Sequence, residues 1–285
     1  MRRPLTFLRG SAIPEQAVVV VTGASSGIGR AVAIQLAEEG HHLALVARCI
    51  ENLEECAAAC RDAGCASVMV VPTDVSDDQA VAELFAKVVA EHGRVDGVAH
   101  CAGEVTYGRV EDTSAEVFDR VLASNLSGSA NVARHAVAQM REAERGVLVI
   151  VGSLLGHIAV PEMTPYVVSK WGLRALARQL ALENLDVRDL HVCHVAPGSV
   201  DTPIYDKAID SGGTVNSPPP PTISPERAAR TIVTNLHHPS RASQTAWSNH
   251  AVIGAFRIAP AVWDRAVGPA FRLLSRGESK RSQGQ

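Results

Sequence analysis

The feature that most constrains the fold is a fully apolar run at residues 17–21, followed at once by a glycine-rich turn and a helical pattern. A strand that is apolar at every position is typical of a parallel sheet buried on both faces. Similar runs recur up to residue 196, with helical segments between them. Strands that alternate with helices pair in parallel through right-handed crossovers. The sequence therefore predicts an α/β fold with a doubly wound, mostly parallel sheet of about seven strands and helices on both faces.

The chain shows no linker that would divide it, so we expect a single domain over residues 1–285. Within that domain we predict a flexible arm at 1–14, a core at 15–203, a lid at 204–224 and a C-terminal helical extension at 225–285. The lid segment contains a Gly-Gly pair and four consecutive prolines, from which we expect no regular elements. Prolines 260 and 269 in the extension favour two or three short helices.

Charge and cysteine content exclude several classes of protein. The chain carries 27 Lys+Arg against 30 Asp+Glu, a formal net charge of −3, which disfavours nucleic acid as the main partner. Its 6 cysteines form no Cys-x-x-Cys pair and its histidines lack ligand spacing, so we predict no metal site. The N-terminal apolar run is shorter than a secretory signal requires, and we expect a cytoplasmic protein.

The glycine-rich turn reads Thr-Gly-Ala-Ser-Ser-Gly-Ile-Gly over residues 22–29. Glycines at these spacings let the backbone turn sharply and approach a pyrophosphate, whose charge is met by the N-terminus of the following helix. The strand, turn and helix context predicts a dinucleotide site. Its candidate residues are Gly23, Ser25, Ser26, Gly27, Ile28 and Gly29.

The end of the second strand bears on which dinucleotide is bound. NAD sites usually carry Asp or Glu about 20 residues after the loop, to hold the ribose 2′-hydroxyl. This chain has Ala47 there, followed by Arg48. A guanidinium can pair with a 2′-phosphate, which a carboxylate would repel. We therefore predict that NADP(H) is preferred and that NAD(H) is a possible alternative.

Tyr166 and Lys170 lie near the start of a predicted helix, one turn apart on the same face. An unperturbed tyrosine has a pKa near 10, too high for ready proton exchange at neutral pH. A nearby ammonium group and a positively charged nicotinamide ring would lower that pKa. Taken alone, the pair is equally compatible with an ordinary surface helix.

Several motifs occur together in a set order. They are residues 22–29, Asp74-Val75, Ala102-Gly103, Asn125, Ser153, Tyr-Val-Val-Ser-Lys at 166–170, and Pro-Gly-Ser-Val-Asp-Thr at 197–202. Over about residues 15–203 this combination resembles the short-chain dehydrogenase/reductase family, in its single-domain branch of alcohol and ketone oxidoreductases. The resemblance implies a Rossmann-type fold.

The resemblance also implies a catalytic set. Tyr166 would act as general acid in ketone reduction and as base in alcohol oxidation, and Ser153 would hydrogen-bond the substrate oxygen. Lys170 would hold the nicotinamide ribose and lower the Tyr166 pKa. Asn125 would bind a water that connects Lys170 to a proton relay.

By the same resemblance, Asp74 and Val75 would meet the adenine, and the backbone at Ala102 and Gly103 would approach the cofactor. Tyr166 and Lys170 would also contact the cofactor. The nicotinamide would be bordered by Pro197, Gly198, Val200 and Thr202. In one departure, His100-Cys101 stands where the family usually has Asn-Asn, and we interpret His100 as a structural histidine.

These features predict an NADP(H)-dependent oxidoreductase that acts on a small-molecule ketone or secondary alcohol. Two alternatives stay open: a 3-oxoacyl-thioester (acyl carrier protein) reductase, and a non-catalytic dinucleotide-binding regulatory protein. Helices at 114–144 and 165–185 would form a homodimer or homotetramer interface in proteins of this kind. The basic C-terminal extension permits contact with a membrane surface, but packing on the domain or on a second subunit is favoured.

Overall fold

The computed structural model describes residues 11–205, 208–210 and 218–275. Its main sheet has seven strands, all paired in parallel in the order β3-β2-β1-β4-β5-β6-β7. The strands are β1 (Val18–Thr22), β2 (His42–Ala47), β3 (Ser67–Pro72), β4 (Gly97–His100), β5 (Arg145–Val151), β6 (Asp189–Ala196) and β7 (Ala242–Gln244). The predicted doubly wound α/β sheet is confirmed.

The helices cover both faces of this sheet. They are α1 (Gly27–Glu38), α2 (Ile50–Ala63), α3 (Asp78–His92), α4 (Ala115–Leu122), α5 (Gly128–Glu142), α6 (Thr164–Glu183), α7 (Pro225–His237), α8 (Trp247–Ile258) and α9 (Pro260–Ser275). Helices α1, α2 and α7 pack on one face, and α3, α5 and α6 on the other. Among the described helices, none is long and apolar enough to span a membrane.

The apolar run in β1 supplies both layers of the core. Val19 and Val21 pack with the helices of one face, whereas Val18 and Val20 pack with those of the other. Successive side chains of a strand point to opposite faces, so a central strand covered on both sides must be apolar throughout. This is the physical basis of the pattern from which the fold was predicted.

The helical stretch predicted over 114–144 contains an irregular turn. Helices α4 and α5 are separated by a π-helical turn, Ala123–Ser127, which carries Asn125. Insertions of this kind inside α-helices are frequent at functional sites.

Two parts of the predicted organisation differ in the structure. Residues 11–14, assigned to a flexible arm, are packed: Ile13 is buried and the Ala12 N–H donates to the His237 carbonyl at 2.8 Å. The rest of the predicted arm, residues 1–10, lies outside the described residues. The apolar side chain of Ile13 joins the core cluster of α1 and α7, and this burial holds the segment in place.

The lid segment also departs from the prediction, since it forms two short strands. Ile209–Asp210 pairs with Thr106–Tyr107, and Thr222–Ile223 pairs with Ser199–Val200. Thr106–Tyr107 is about a hundred residues from its partner and Ser199–Val200 about twenty from its own, so neither pairing follows from a local pattern. Residues 206–207 and 211–217 of the lid lie outside the described part of the chain.

Over its described residues, 225–275, the C-terminal extension forms two helices after α7, and two or three were predicted. Pro260 is the first residue of α9, where the backbone N–H that proline lacks would have no partner within the helix. Pro269 lies inside α9 and does not end it.

Candidate active site

The turn after β1 requires glycine because backbone segments meet there. Gly23 has a φ of +68°, and a Cβ on it would lie 2.9 Å from the Ala102 nitrogen. A Cβ on Gly29 would lie 2.3 Å from the Gly23 carbonyl oxygen. The turn therefore presents bare backbone at the N-terminus of α1, as an approaching pyrophosphate needs.

This turn forms one wall of an open groove of about 390 Å³ at the carboxyl ends of the strands. Twelve predicted cofactor residues line it: Gly23, Ser25, Ser26, Gly27, Ile28, Gly29, Arg48, Asp74, Val75, Ala102, Gly103 and Thr202. Pro197, Val200 and Lys170 do not line the groove, and Gly198 and Tyr166 line a neighbouring pocket instead. The groove is lined by the glycines of the turn and runs past the ends of several strands, so its residues fit a dinucleotide.

Among the groove residues that the sequence analysis did not assign to the site, two carry a charge, Glu104 and Arg120. Glu104 is only 12% exposed, and its carboxylate pairs with Arg48 at 2.8 Å and with Arg120 at 3.0 Å. The position of Glu104 directly after the Ala-Gly pair was a usable signal. Arg120 comes from α4, and only the packing of that helix brings it to the groove.

His100 is held in a buried hydrogen-bond chain. The Thr22 hydroxyl contacts His100 Nδ1 at 2.8 Å, and His100 Nε2 contacts the Ser129 hydroxyl at 2.8 Å. Because Ser129 donates its proton to the Asn125 carbonyl at 2.6 Å, it must accept from His100 Nε2, so Thr22 donates to Nδ1. Burial lowers the pKa of His100 to about 3, which keeps the ring neutral. The ring thus links β1 to the π turn.

Asn125 is fully buried in that turn and is held on both sides of its amide. Its Oδ1 accepts from the Glu104 N–H at 2.7 Å, and its Nδ2 donates to the Glu104 carbonyl at 2.8 Å. Nδ2 also lies 3.0 Å from the Ser169 hydroxyl on α6. The loop after β4 is thereby tied to the helix that carries Tyr166 and Lys170.

Lys170 projects from α6 beneath the groove. Its Nζ donates to the Val151 carbonyl at 3.4 Å and lies 5.6 Å from the centre of the Tyr166 ring. A Cβ on Gly103 would lie 3.5 Å from this Nζ, so Gly103 leaves the amine close to the groove. Burial lowers the pKa of Lys170 to about 8, and the nearby Cys101 partly opposes this.

Tyr166 and Ser153 lie together in the wall of a second pocket, next to the groove. Burial raises the pKa of Tyr166, and a side-chain hydrogen bond with Ser153 partly offsets that rise. The direction is opposite to the lowering expected from Lys170, because in this structure removal from water outweighs the neighbouring groups. Tyr166 is therefore a protonated phenol in this structure.

The short chain dehydrogenase family profile matches residues 17–211, more than half of the chain. The protein belongs to the short-chain dehydrogenase family. An uncharacterised oxidoreductase of Mycobacterium tuberculosis is 33% identical over 283 residues, covering 94% of this chain and 76% of that protein. An NADPH-dependent pterin aldehyde reductase of Arabidopsis thaliana is 30% identical over 202 residues, covering 70% and 82%.

The chain is also similar to a solved alcohol dehydrogenase of Thermococcus sibiricus, complexed with 5-hydroxy-NADP. The TM-score is 0.67 at 31% identity, covering 80% of this chain and 94% of that one. The chain is thus an oxidoreductase of a family that binds NAD(P)(H).

Away from the groove of this short-chain dehydrogenase, one group of described residues resembles a metal site: Glu39, His41 and His237. The Ala17 N–H donates to His41 Nδ1 at 3.0 Å, so the ring proton of His41 is on Nε2, which lies 3.3 Å from Glu39. A protonated nitrogen has no lone pair for a metal ion. The cluster as arranged therefore lacks one of its three ligand atoms.

Proposed function

We propose that this short-chain dehydrogenase is an NADP(H)-dependent oxidoreductase that transfers hydride between the nicotinamide and a ketone or secondary alcohol. The observation that carries the proposal is the position of Ser153 and Tyr166. They lie in the wall of a pocket that adjoins the glycine-lined groove, with Val105 and Ile204 lining both spaces. A carbonyl carbon in that pocket can lie beside a cofactor in the groove.

The bound cofactor supplies hydride in reduction and accepts it in oxidation. In reduction, Tyr166 donates its phenolic proton to the substrate oxygen, so that hydride and proton together convert the carbonyl to an alcohol. Ser153 hydrogen-bonds Tyr166 and stabilises charge that develops on the same oxygen. Lys170, whose pKa is about 8, provides an amine that can hold or release a proton near neutral pH.

The proposed preference for NADP(H) rests on Arg48, which reaches the groove at the end of β2, where an NAD site would carry a carboxylate. The described NADPH dependence of the Arabidopsis relative and the NADP derivative bound to the Thermococcus enzyme support it. NAD(H) is the alternative cofactor. The ratio of kcat/KM for NADPH and NADH measures this preference, and a clear preference for NADH would overturn it.

We also propose a cytoplasmic homodimer or homotetramer. All six cysteines are free thiols, which suits a reducing compartment. On α6, Val168 and Trp171 are 45% and 40% exposed, as apolar side chains at a subunit interface would be in a single chain. Light scattering after gel filtration tests the assembly, and a monomer at micromolar concentration would contradict it.

The first test is NADPH consumption against a panel of neutral ketones, aldehydes and an acetoacetyl thioester. Turnover of a ketone is expected. Turnover of the thioester alone would indicate the thioester reductase, and binding of NADPH without turnover would indicate a regulatory protein. Tyr166→Phe should abolish turnover and leave the Kd for NADPH within about twofold of the parent, because it removes only the proton donor.

A further inference from the structure

The C-terminal helices form one side of the pocket that contains Ser153 and Tyr166, and the wall of this pocket is mostly apolar. Its volume is about 370 Å³. Apart from the catalytic pair, most of its wall comes from aliphatic, aromatic and proline side chains: Val105, Leu154, Leu155, Ile158, Val160, Met163, Ile204, the prolines at 219–221, Val252, Trp263, Val267 and Phe271. None of the described residues that line it carries a charge.

Helix α9 forms the roof of this pocket and is held in place from both sides. Trp263 donates its indole N–H to the Ala159 carbonyl at 3.0 Å, and its ring packs edge-on against Phe256 at 5.7 Å. Further along α9, Phe271 packs against the cluster of Tyr107 and Met163. The roof is therefore part of the fold. It also lies beyond residue 211, where the family match ends.

Two polar side chains in the pocket wall are already used within the protein. The indole N–H of Trp263 bonds to Ala159, and the Asn249 amide donates to the Ala196 carbonyl at 3.2 Å and to Gln244 at 3.0 Å. A carboxylate or phosphate on the substrate would lose its hydration here without meeting a cationic partner among the described residues. Burying an unpaired charge in this way is strongly unfavourable.

We infer that the substrate is an uncharged, apolar ketone or aldehyde whose body lies under α9 with its carbonyl at Ser153 and Tyr166. This inference rests on the proposed function. At about 30 Å³ for each water-sized group, the pocket holds about a dozen of them, so the substrate has about ten to fifteen non-hydrogen atoms. Each added methylene that enters the pocket should raise kcat/KM about fourfold until the space is filled.

The test compares straight-chain methyl ketones from butanone to decanone with keto acids of matched length. We expect kcat/KM to rise with chain length for the ketones, and the keto acids to be at least about a hundredfold poorer than their neutral counterparts. A flat series, or a preference for the keto acids, would overturn the inference while leaving the proposed oxidoreductase intact.

Two variants of α9 localise the effect. Val267→Asp places a carboxylate in the roof and should lower kcat/KM for decanone more than tenfold, with little change for butanone. Val262→Asp is the matched control, because Val262 is 65% exposed on the same helix and does not line the pocket. Equal losses in both variants, or none in Val267→Asp, would contradict the inferred roof.

Calorimetric binding of the ketones to the NADP⁺-loaded protein separates the inference from the proposed function. One outcome is that the ketones bind more tightly as the chain lengthens, and more weakly to Val267→Asp, while no turnover is detected. That result would refute the proposed oxidoreductase activity and support the apolar pocket. Turnover together with an affinity that does not depend on chain length would support the oxidoreductase activity and refute the apolar pocket. Circular dichroism and NADPH binding report whether each variant is folded.

Discussion

We predict that Glu104 competes with the 2′-phosphate of NADPH for Arg48, and that Glu104→Gln frees the Arg48 side chain. The two side chains are 2.8 Å apart, for which Coulomb's law in bulk water gives about 1.5 kcal/mol. Arg48 is 58% exposed, so screening and side-chain entropy reduce the net value to about 1 kcal/mol at most. A 2′-phosphate that binds Arg48 must displace this pairing. Removing the carboxylate charge should therefore lower the Kd for NADPH about fivefold.

Fluorescence titration of the variant with NADPH and NADH measures this effect. NADH lacks only the 2′-phosphate, so its Kd should stay within about twofold of the parent. Glu111→Gln is the control for loss of a surface carboxylate, since Glu111 pairs with Arg109 outside the groove. An Arg48→Ala background should remove most of the gain. An unchanged Kd for NADPH, or an equal gain for NADH, would refute the competition.

Three further outcomes are expected from buried contacts. In Gly152→Ala the new Cβ would lie 2.1 Å from His194 Nε2, and this clash should lower the free energy of unfolding in urea by about 1–3 kcal/mol. Unchanged stability would mean that the His194 ring can move aside without cost. His100→Leu removes the acceptor of the Thr22 hydroxyl and should cost about 1–3 kcal/mol in the same assay, with a fall in kcat as the π turn loosens; a kcat equal to that of the parent would separate His100 from the site. Burial lowers the pKa of His100 and His194 to about 3 and that of His157 to about 4, so between about pH 4 and 6.5 the unfolded chain binds more protons and stability rises with pH. Near pH 5 the free energy of unfolding in urea should fall by about 4 kcal/mol for each pH unit of acidification, and His157→Gln should reduce that slope by about 1.2 kcal/mol per unit. An unchanged slope would contradict the buried neutral ring.

The fold could be predicted because its determinants are local and periodic. The apolar run of β1, the glycines of the turn and the helical spacing of α1 are adjacent in the chain, and each follows from burial or backbone freedom at its own position. The short strands of the lid could not be predicted, since Ile209 pairs with Thr106 across about a hundred residues of intervening chain. The packing of residues 11–14 could not be predicted either, since Ala12 bonds to His237 more than two hundred residues further along the chain.

The candidate site divides in the same way. Tyr166 and Lys170 are one helical turn apart, so their spacing already places them side by side, and the motif order supplied Ser153 and Asn125. The pKa of Tyr166 could not be obtained from that spacing. It depends on how far the surrounding residues remove Tyr166 from water, and the pocket around it is lined in part by α9, almost a hundred residues further along the chain.

By itself, then, the sequence determined the α/β class and the glycine-rich turn, because each depends on residues close together in the chain, and the order of its motifs indicated the proposed catalytic set. The tertiary structure decided which charged side chains meet, and it gave the pocket beside Tyr166 a wall without charged residues among those described. Glu104 faces Arg48 and Arg120 only because β2, the loop after β4 and helix α4 converge at one edge of the sheet. The apolar roof exists only because α9 folds back over Tyr166, and contacts between such distant segments leave no periodic signal in the sequence.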